Sequence, residues 1–397
     1  MKWLSRLLVI VFAESMAGTL AQNGVMFLTH SKLGFTERTN LYLTLAMGAM
    51  AVLGALVSHR LTRRIGERRL ALRCLAGQVL ICGALAFCAV QGTWLNPTTI
   101  FIGASLVTAL GGVKWPIIES YVTAGREPAQ IAKAIGWFNL SWSIGIPAAL
   151  LPSGMLISAW SPGLFVVAGL FSSVSIFISR SLPARPEHLR LPAATPEGLA
   201  SARRIESLLG FSRWQLLGGY SLLWMLNPLM PEVFQTRLHL DVTWQTILAS
   251  GLYLARMVAF LVLGHTDRWH GRFSPLAASA VMLPAGFLLI VFAPHWGVVV
   301  LGELFCGAAG GLIYYAALYY AMVATNASVE GGGTHEGLIN LGSILGPTSA
   351  LLGRGVLVPA LGGLFAGTLV GIAPLLLVSA YGSLRYYLRF RATQSAR

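Results

Sequence analysis

Twelve apolar stretches follow one another along the chain, and this pattern restricts its fold more than any other feature. Each is about 20 residues long, which is the length a helix needs to cross the hydrocarbon core of a bilayer. Polar and apolar residues do not alternate within them, as they would in the strands of a membrane barrel. The sequence therefore predicts an all-α polytopic membrane protein with transmembrane helices at residues 6–28, 41–58, 71–91, 98–122, 129–151, 160–179, 214–234, 244–264, 274–293, 297–323, 336–353 and 360–381.

The composition excludes a soluble protein. Of the 397 residues, 55% are hydrophobic and only 11% are charged, whereas a soluble domain carries about 25% charged residues. The four cysteines lie inside apolar stretches without paired or metal-binding spacing, so that neither a disulfide framework nor a metal site is predicted. We expect no cofactor.

The basic residues fall mainly on one side of the predicted membrane. The chain carries 28 Lys and Arg against 14 Asp and Glu, a formal net charge of +14. With a cytoplasmic N-terminus, 22 of these 28 cations lie in cytoplasmic segments, as the positive-inside rule requires. We therefore predict that both termini are cytoplasmic, in the cell (inner) membrane. The expected partners are the bilayer, a small-molecule substrate and protons, with no nucleic acid and a monomeric state.

An internal repeat divides the chain into two halves. Gly136, Asn139 and Gly145 have counterparts in Gly337, Asn340 and Gly346, each 201 residues later. Matches in the same order at the same topological positions favour a duplication of six helices. The predicted units are an N-terminal bundle over 1–181, a cytoplasmic linker over 182–212 and a C-terminal bundle over 213–397.

The linker contains a candidate helix start. Thr195-Pro196-Glu197 combines a capping hydroxyl, a proline suited to the first turn and an acidic residue near the positive helix end. The stretch up to Leu209 mixes leucines with arginines, and such a helix lies on the inner membrane face. A solvated linker explains this segment equally well.

Two six-helix halves with cytoplasmic termini and a basic central loop resemble the major facilitator superfamily of transporters. The segment Asp267-Arg268-Trp269-His270-Gly271-Arg272 is similar to that family's loop between its second and third helices, with one residue inserted. The first-half copy around Arg64 has arginine where the family has aspartate. The resemblance implies that Arg64, Asp267 and Arg268 act in a cytoplasmic gate. The stretch from Gly136 to Pro147 is similar to a motif of antiporters, which favours export slightly.

Ionisable residues inside the predicted spans are candidate functional residues, because they are costly in a bilayer. The resemblance implies that the first and fourth helices line a central cavity, where Glu14 and Lys114 can meet. This pair is either a proton-coupling site or a static structural pair, and the sequence favours neither. Arg256, with Tyr253 one turn earlier, is predicted to bind an anionic substrate group or, equally, to pair with Glu303 or Glu232 as an outer gate.

Aromatic and amide side chains are predicted to complete the substrate site. Tyr315 and Tyr319 are four residues apart and share one helix face. Aromatic residues also anchor helices at membrane interfaces, and the symmetric placement of Asn139 and Asn340 favours helix–helix hydrogen bonding. The candidate substrate-binding residues are Lys114, Trp115, Asn139, Trp224, Asn227, Tyr253, Arg256, Tyr315, Tyr319 and Asn340. Thr334-His335-Glu336 is predicted to be a loop before the eleventh helix.

These features predict a secondary active transporter that moves a small organic solute by alternating access, coupled to protons. The chain has no Gly-x-x-x-x-Gly-Lys-Ser/Thr loop for ATP and no Gly-x-Ser-x-Gly nucleophile motif, so that an enzyme is not expected. The alternatives are a drug or lipid exporter or flippase of the same fold, and a transporter-like receptor without turnover.

Overall fold

The computed structural model describes residues 3–92, 94–126, 128–186, 198–324, 329–361 and 364–395. These residues form twelve long helices joined by short turns, and no strand occurs among them. Helix α1 includes a π-helical segment, Leu20–Gly24. The helices are α1 Leu4–Leu33, α2 Glu37–Ile65, α3 Glu67–Val90, α4 Pro97–Thr123, α5 Pro128–Trp160, α6 Gly163–Ser179, α7 Gly198–Thr236, α8 Val242–His265, α9 Ser274–Val291, α10 Trp296–Ala324, α11 Val329–Leu361 and α12 Leu364–Ser395.

The predicted polytopic all-α fold is confirmed. Within the described part of the chain, nine helices have segments long and apolar enough to cross a membrane, and α6 is a shorter apolar helix. Helices α1 to α6 pack into one bundle and α7 to α12 into a second. The two bundles meet mainly where α2 packs against α11 and α5 against α8.

Equivalent contacts recur in the two bundles. Gly145 of α5 faces the backbone of α1, where an added Cβ would lie 2.8 Å from the Phe12 carbonyl oxygen and from the Ser15 Cβ. Gly346 of α11 faces α7 in the same way, and a Cβ there would overlap the Ser221 carbonyl. Small residues allow such close helix approach in membranes. The sequence match between these two glycines therefore corresponds to matching helix crossings.

The sequence-based helix ends are wrong at two places. Thr334-His335-Glu336 lies inside α11, which already begins at Val329, because the three glycines before Thr334 are accommodated within the helix. The segment up to Leu209 is the start of α7 and is continuous with the seventh span. The buried side chain of Leu208 ties this segment to the bundle, so it is no separate interfacial helix. The predicted start at Thr195-Pro196-Glu197 lies outside the described residues.

Arginines secure the end of the bundle at which most basic residues cluster, which we call the basic end. Arg126 donates to the carbonyls of Tyr121, Val122 and Ala124 at the C-terminus of α4. These carbonyls have no partner within the helix, and a cation there also interacts favourably with the helix dipole. Arg204 donates to the carbonyl of Gly271 at 2.7 Å. Arginine side chains thus complete the backbone hydrogen bonding where helices end.

Two adjacent glycines of α4 provide a test of the packing. A Cβ at Gly112 would overlap the carbonyl oxygen of Ala51 in α2, whereas a Cβ at Gly111 would meet nothing within 4 Å. Gly112→Ala should lower the unfolding free energy by about 1–3 kcal/mol through overpacking. Gly111→Ala should raise it by up to about 1 kcal/mol, since alanine favours the helix. Thermal unfolding in detergent measures both, and equal melting temperatures would contradict this packing.

Candidate functional site

A cavity of about 220 Å³ lies between the two bundles. Helices α1, α2, α4 and α5 line it from one bundle, and α7, α8, α10 and α11 from the other. Its lining is mostly apolar and aromatic, with four ionisable side chains that carry formal charge: Glu14, Glu119, Arg256 and Glu336. A mostly apolar cleft with a few convergent polar groups is the usual form of a small-molecule site.

Glu14 and Lys114 meet in the N-terminal bundle, as predicted. Their side chains form an ion pair in which both are almost fully buried. The Lys114 ammonium also donates to Gln78 Oε1 at 2.8 Å. Glu14 Oε1 has no hydrogen-bond partner, and Glu14 lines the cavity. One carboxylate oxygen therefore serves the ion pair while the other is left for a proton or a ligand.

Arg256 brings a cation to the cavity from the C-terminal bundle. Only 5% of this residue is exposed, and its guanidinium carbon lies 5.5 Å from the ring centre of Tyr253 and 5.7 Å from that of Tyr220. Among the described residues no carboxylate lies within ion-pair distance of it, and its Nε has no hydrogen-bond partner. Tyrosine faces stabilise a desolvated cation only in part, so that Arg256 retains capacity to bind an anion.

Hydrogen bonds join the two bundles at the end opposite the basic end. Asn227 Nδ2 donates to Asn23 Oδ1 at 3.1 Å, and Tyr253 Oη donates to Asn227 Oδ1 at 2.9 Å. Asn23 Nδ2 in turn donates to Tyr253 Oη at 3.0 Å. These three residues form a closed ring of hydrogen bonds between α1 of one bundle and α7 and α8 of the other.

A carboxyl pair joins the bundles on the basic-end side of the cavity. Glu119 of α4 and Glu336 of α11 both line the cavity, and their side chains lie close enough to interact directly. Only 9% of Glu119 is exposed. Sequence reasoning missed Glu336 because it placed this residue in a loop, and a helix assignment through the preceding glycines would have found it.

Aromatic rings fill the middle of the cavity wall. Trp142 of α5 packs edge-on against Tyr314 of α10 at 5.0 Å between ring centres, across the bundle interface. Tyr314 also lies 6.1 Å from Tyr220. Trp224 lines the cavity, and its indole N–H has no partner among the described residues. Trp115 also lines the cavity and packs against Phe138. The predicted Trp115 and Trp224 thus lie at the cavity, together with Asn227, Tyr253, Arg256 and Asn340.

Four predicted substrate residues do not line the cavity. Lys114 lies behind Glu14, with which it is paired, and bonds to Gln78. Asn139 is fully buried beside the cavity lining, where its Oδ1 accepts from Trp142 Nε1 at 3.2 Å. Tyr315 and Tyr319 pack against Trp269 at 5.5 and 5.2 Å, and Tyr319 also stacks on His270. One residue along a helix is a turn of about 100°, so that Tyr314 faces the cavity while these two tyrosines cover the α8–α9 turn.

The predicted gating residues are not brought together. Arg64 is exposed at the end of α2, and Asp267 and Arg268 are exposed in the α8–α9 turn. Asp267 lies 3.5 Å from the imidazole of His270 in the same turn. Partial burial lowers the pKa of His270, and the Asp267 carboxylate opposes that shift. Glu303 is buried in α10, and among the described residues neither of its carboxylate oxygens has a partner and it forms no ion pair with Arg256.

Two pseudo-symmetric six-helix bundles around a central, mostly apolar cavity define a multi-pass membrane transporter. A sequence model described as the Major Facilitator Superfamily matches residues 7–347. The chain belongs to this superfamily. A search of curated proteins finds no matching sequence.

Several solved transporters share the fold. The nucleoside transporter NupG superposes with a TM-score of 0.67 at 13% identity, with 98% of this chain and 99% of that one covered. A bacterial homologue of the human lysosomal transporter Spinster, inward-facing and unoccupied, gives 0.65 at 15% identity, covering 100% and 98%. The human organic anion transporter MFSD10 (TETRAN) gives 0.60 at 15% identity, covering 98% and 99%. At these identities the likeness concerns the fold alone.

The Glu14–Lys114 pair generates a stability prediction. Lys114→Met leaves Glu14 buried without its cation, which typically costs about 3–5 kcal/mol. The double variant Glu14→Gln/Lys114→Met removes both charges and should recover much of that loss. Thermal unfolding in detergent, with the exposed Lys32→Met as control, measures the difference. A double variant less stable than Lys114→Met would contradict the pairing.

Proposed function

We propose that this chain is a secondary active transporter that carries a small organic anion with a ring system by alternating access, coupled to protons. Family membership establishes the transporter class. The substrate class rests on Arg256, a buried cation that lines the cavity without a carboxylate partner. Membrane sites place anion-binding groups near the bilayer midplane, between the repeats.

The rest of the cavity fits a solute that is partly aromatic. Trp142, Tyr220 and Tyr314 surround the space next to Arg256, and stacked or edge-on rings are favourable contacts for a planar ligand. Asn227 and Asn340 add amide donors and acceptors. NupG is a nucleoside transporter and MFSD10 an organic anion transporter, and a ring-bearing anion combines the chemistry of these two substrate classes.

Glu14 is the proposed carrier of the coupled proton. Glu14 lines the cavity; one of its carboxylate oxygens has no hydrogen-bond partner among the described residues, and the other is held by Lys114. When Glu14 takes up a proton, Lys114 loses its counter-ion and turns to Gln78 alone, so that the charge of this cluster changes by one with each proton. In this scheme the protein lies in the cell membrane with its basic end on the cytoplasmic side. It works as a monomer.

Substitution of Arg256 tests the substrate class. Arg256→Ala should weaken binding of a ring-bearing anion at least tenfold, because the cavity loses the cation that lines it. Arg256→Lys should retain part of the affinity. Equilibrium binding and flux in reconstituted vesicles, against a panel of aromatic carboxylates, phosphates and neutral analogues, measure this.

The exposed Arg272 provides the matched control, and Arg272→Ala should leave affinity unchanged. An Arg256→Ala protein that binds the anions as tightly as the parent protein would contradict the proposed substrate class. Tight binding without any flux would indicate a transporter-like receptor instead.

Substitution of Glu14 tests proton coupling. Glu14→Gln keeps the size and hydrogen bonding of the side chain but cannot release a proton. It should abolish uptake driven by a pH gradient in liposomes and leave anion binding intact. Glu206→Gln, at an exposed carboxylate of α7, is the control. Unchanged gradient-driven uptake in Glu14→Gln would remove Glu14 from this role.

A further inference from the structure

The Glu119–Glu336 contact joins two bundles that the transport cycle must separate. Glu119 lies near the end of α4 and Glu336 near the start of α11, both in the half of the cavity next to the basic end. The other bonded contacts between the bundles at the cavity, Asn23 with Asn227 and Tyr253, lie at the opposite end. The two carboxyl groups thus form the counterpart of that ring of hydrogen bonds.

The chemistry of the pair requires a proton. An ionised carboxylate has only acceptor atoms, so that two ionised groups cannot hydrogen-bond to each other. Their hydrogen bond forms only when at least one carboxyl group is protonated. When that proton leaves, two like charges face each other in a site that contains little water, and repulsion replaces attraction.

In the part of the chain that the structure describes, neither carboxyl group forms an ion pair with a cation. Arg213 of α7 acts electrostatically on the neighbouring His335. Glu336 acts electrostatically on Tyr314 of α10 and Tyr220 of α7, and Glu119 acts on Tyr314. Arg256 of α8 lies behind these two rings.

The remaining neighbours add little charge. The imidazole of His335 packs edge-on against Tyr314 at 4.7 Å, and both its nitrogens lack partners among the described residues. Glu14 of α1 is already paired with Lys114 of α4. Helix α5 presents the rings of Phe138 and Trp142 to the cavity, and α2 presents Met47 and Gly48. Neutralisation of the pair therefore depends on its own proton.

We propose that Glu119 and Glu336 form a proton-dependent gate at the basic end of the cavity. While they share a proton, their hydrogen bond holds α4 against α11 and closes that end. Loss of the proton to water on the basic side leaves two carboxylates, which repel and open the cavity to that side. The proposal rests on the alternating-access transport proposed above and assigns to this pair a step that Glu14 does not perform.

The gate is tested by pulsed electron paramagnetic resonance, which measures the distance between two spin labels. Nitroxide labels at Arg63→Cys and Arg272→Cys, both exposed at the basic end of opposite bundles, report the separation of the bundles. The four native cysteines are replaced by alanine, and the protein is held in lipid nanodiscs without substrate. In the labelled protein with Glu119 and Glu336 intact, the distance between the two labels should increase as the pH is raised from 5 to 9.

Glutamine variants connect that shift to the carboxyl pair. In Glu119→Gln/Glu336→Gln two amides bond without a titrating proton, and each single variant bonds an amide N–H to the remaining carboxylate. All three should lose the pH-dependent shift, whereas the exposed control Glu206→Gln should retain it. A double variant or single variants that retain the shift, or a parent protein without one, would overturn the gate.

Flux on the same preparations separates this proposal from the proposed function. A protein that carries the anion but shows no pH-dependent change in separation contradicts the gate alone. A protein with the pH-dependent change but no flux of any anion contradicts the proposed transport and supports the gate.

Discussion

A lipid bilayer offers no water to a buried polar group, and the placement of charges in this chain follows from that constraint. Lys114 is neutralised by Glu14 and bonded to Gln78. Serine hydroxyls bond to backbone carbonyls, as Ser15 does to Trp142 across a helix crossing. Among the described residues, Arg256 and Glu14 each have an unpartnered polar atom, and both line the cavity between the bundles.

Charges across the cavity are therefore linked even where they do not touch. Arg256 and Glu336 both act electrostatically on Tyr220 and Tyr314, and charges interact over longer distances in a medium of low dielectric constant than in water. An anion bound at Arg256 cancels the positive charge of that residue. Under the proposed function, the ionised form of the carboxyl pair would then be less stabilised, and anion and proton would bind together more readily.

The sequence predicts the helices and the Glu14–Lys114 contact because both follow from local patterns: apolar runs of membrane-spanning length and two isolated charges on helices that line one bundle. It does not predict which face of α10 meets the cavity, since Tyr314, Tyr315 and Tyr319 are equivalent in composition and only packing against Trp269 separates them. Glu336 was missed because glycines 331–333 resemble a loop, although α11 runs through them. The positions of the helices can thus be predicted from local sequence, whereas the direction in which each side chain points depends on tertiary packing.

The π-helical segment Leu20–Gly24 divides α1 into two parts. Each extra residue in such a turn rotates everything beyond it around the helix axis, and π-helical turns are frequent at functional sites. Glu14 lies before the segment and Asn23 lies within it. His30 lies after the segment and contacts Gln235 of the other bundle. Conversion of this one turn to regular α-helix would rotate Asn23 and His30 away from the other bundle, while Glu14 would remain paired with Lys114. The π-helical segment thus separates the part of α1 that holds Lys114 from the part that carries the contacts to the other bundle.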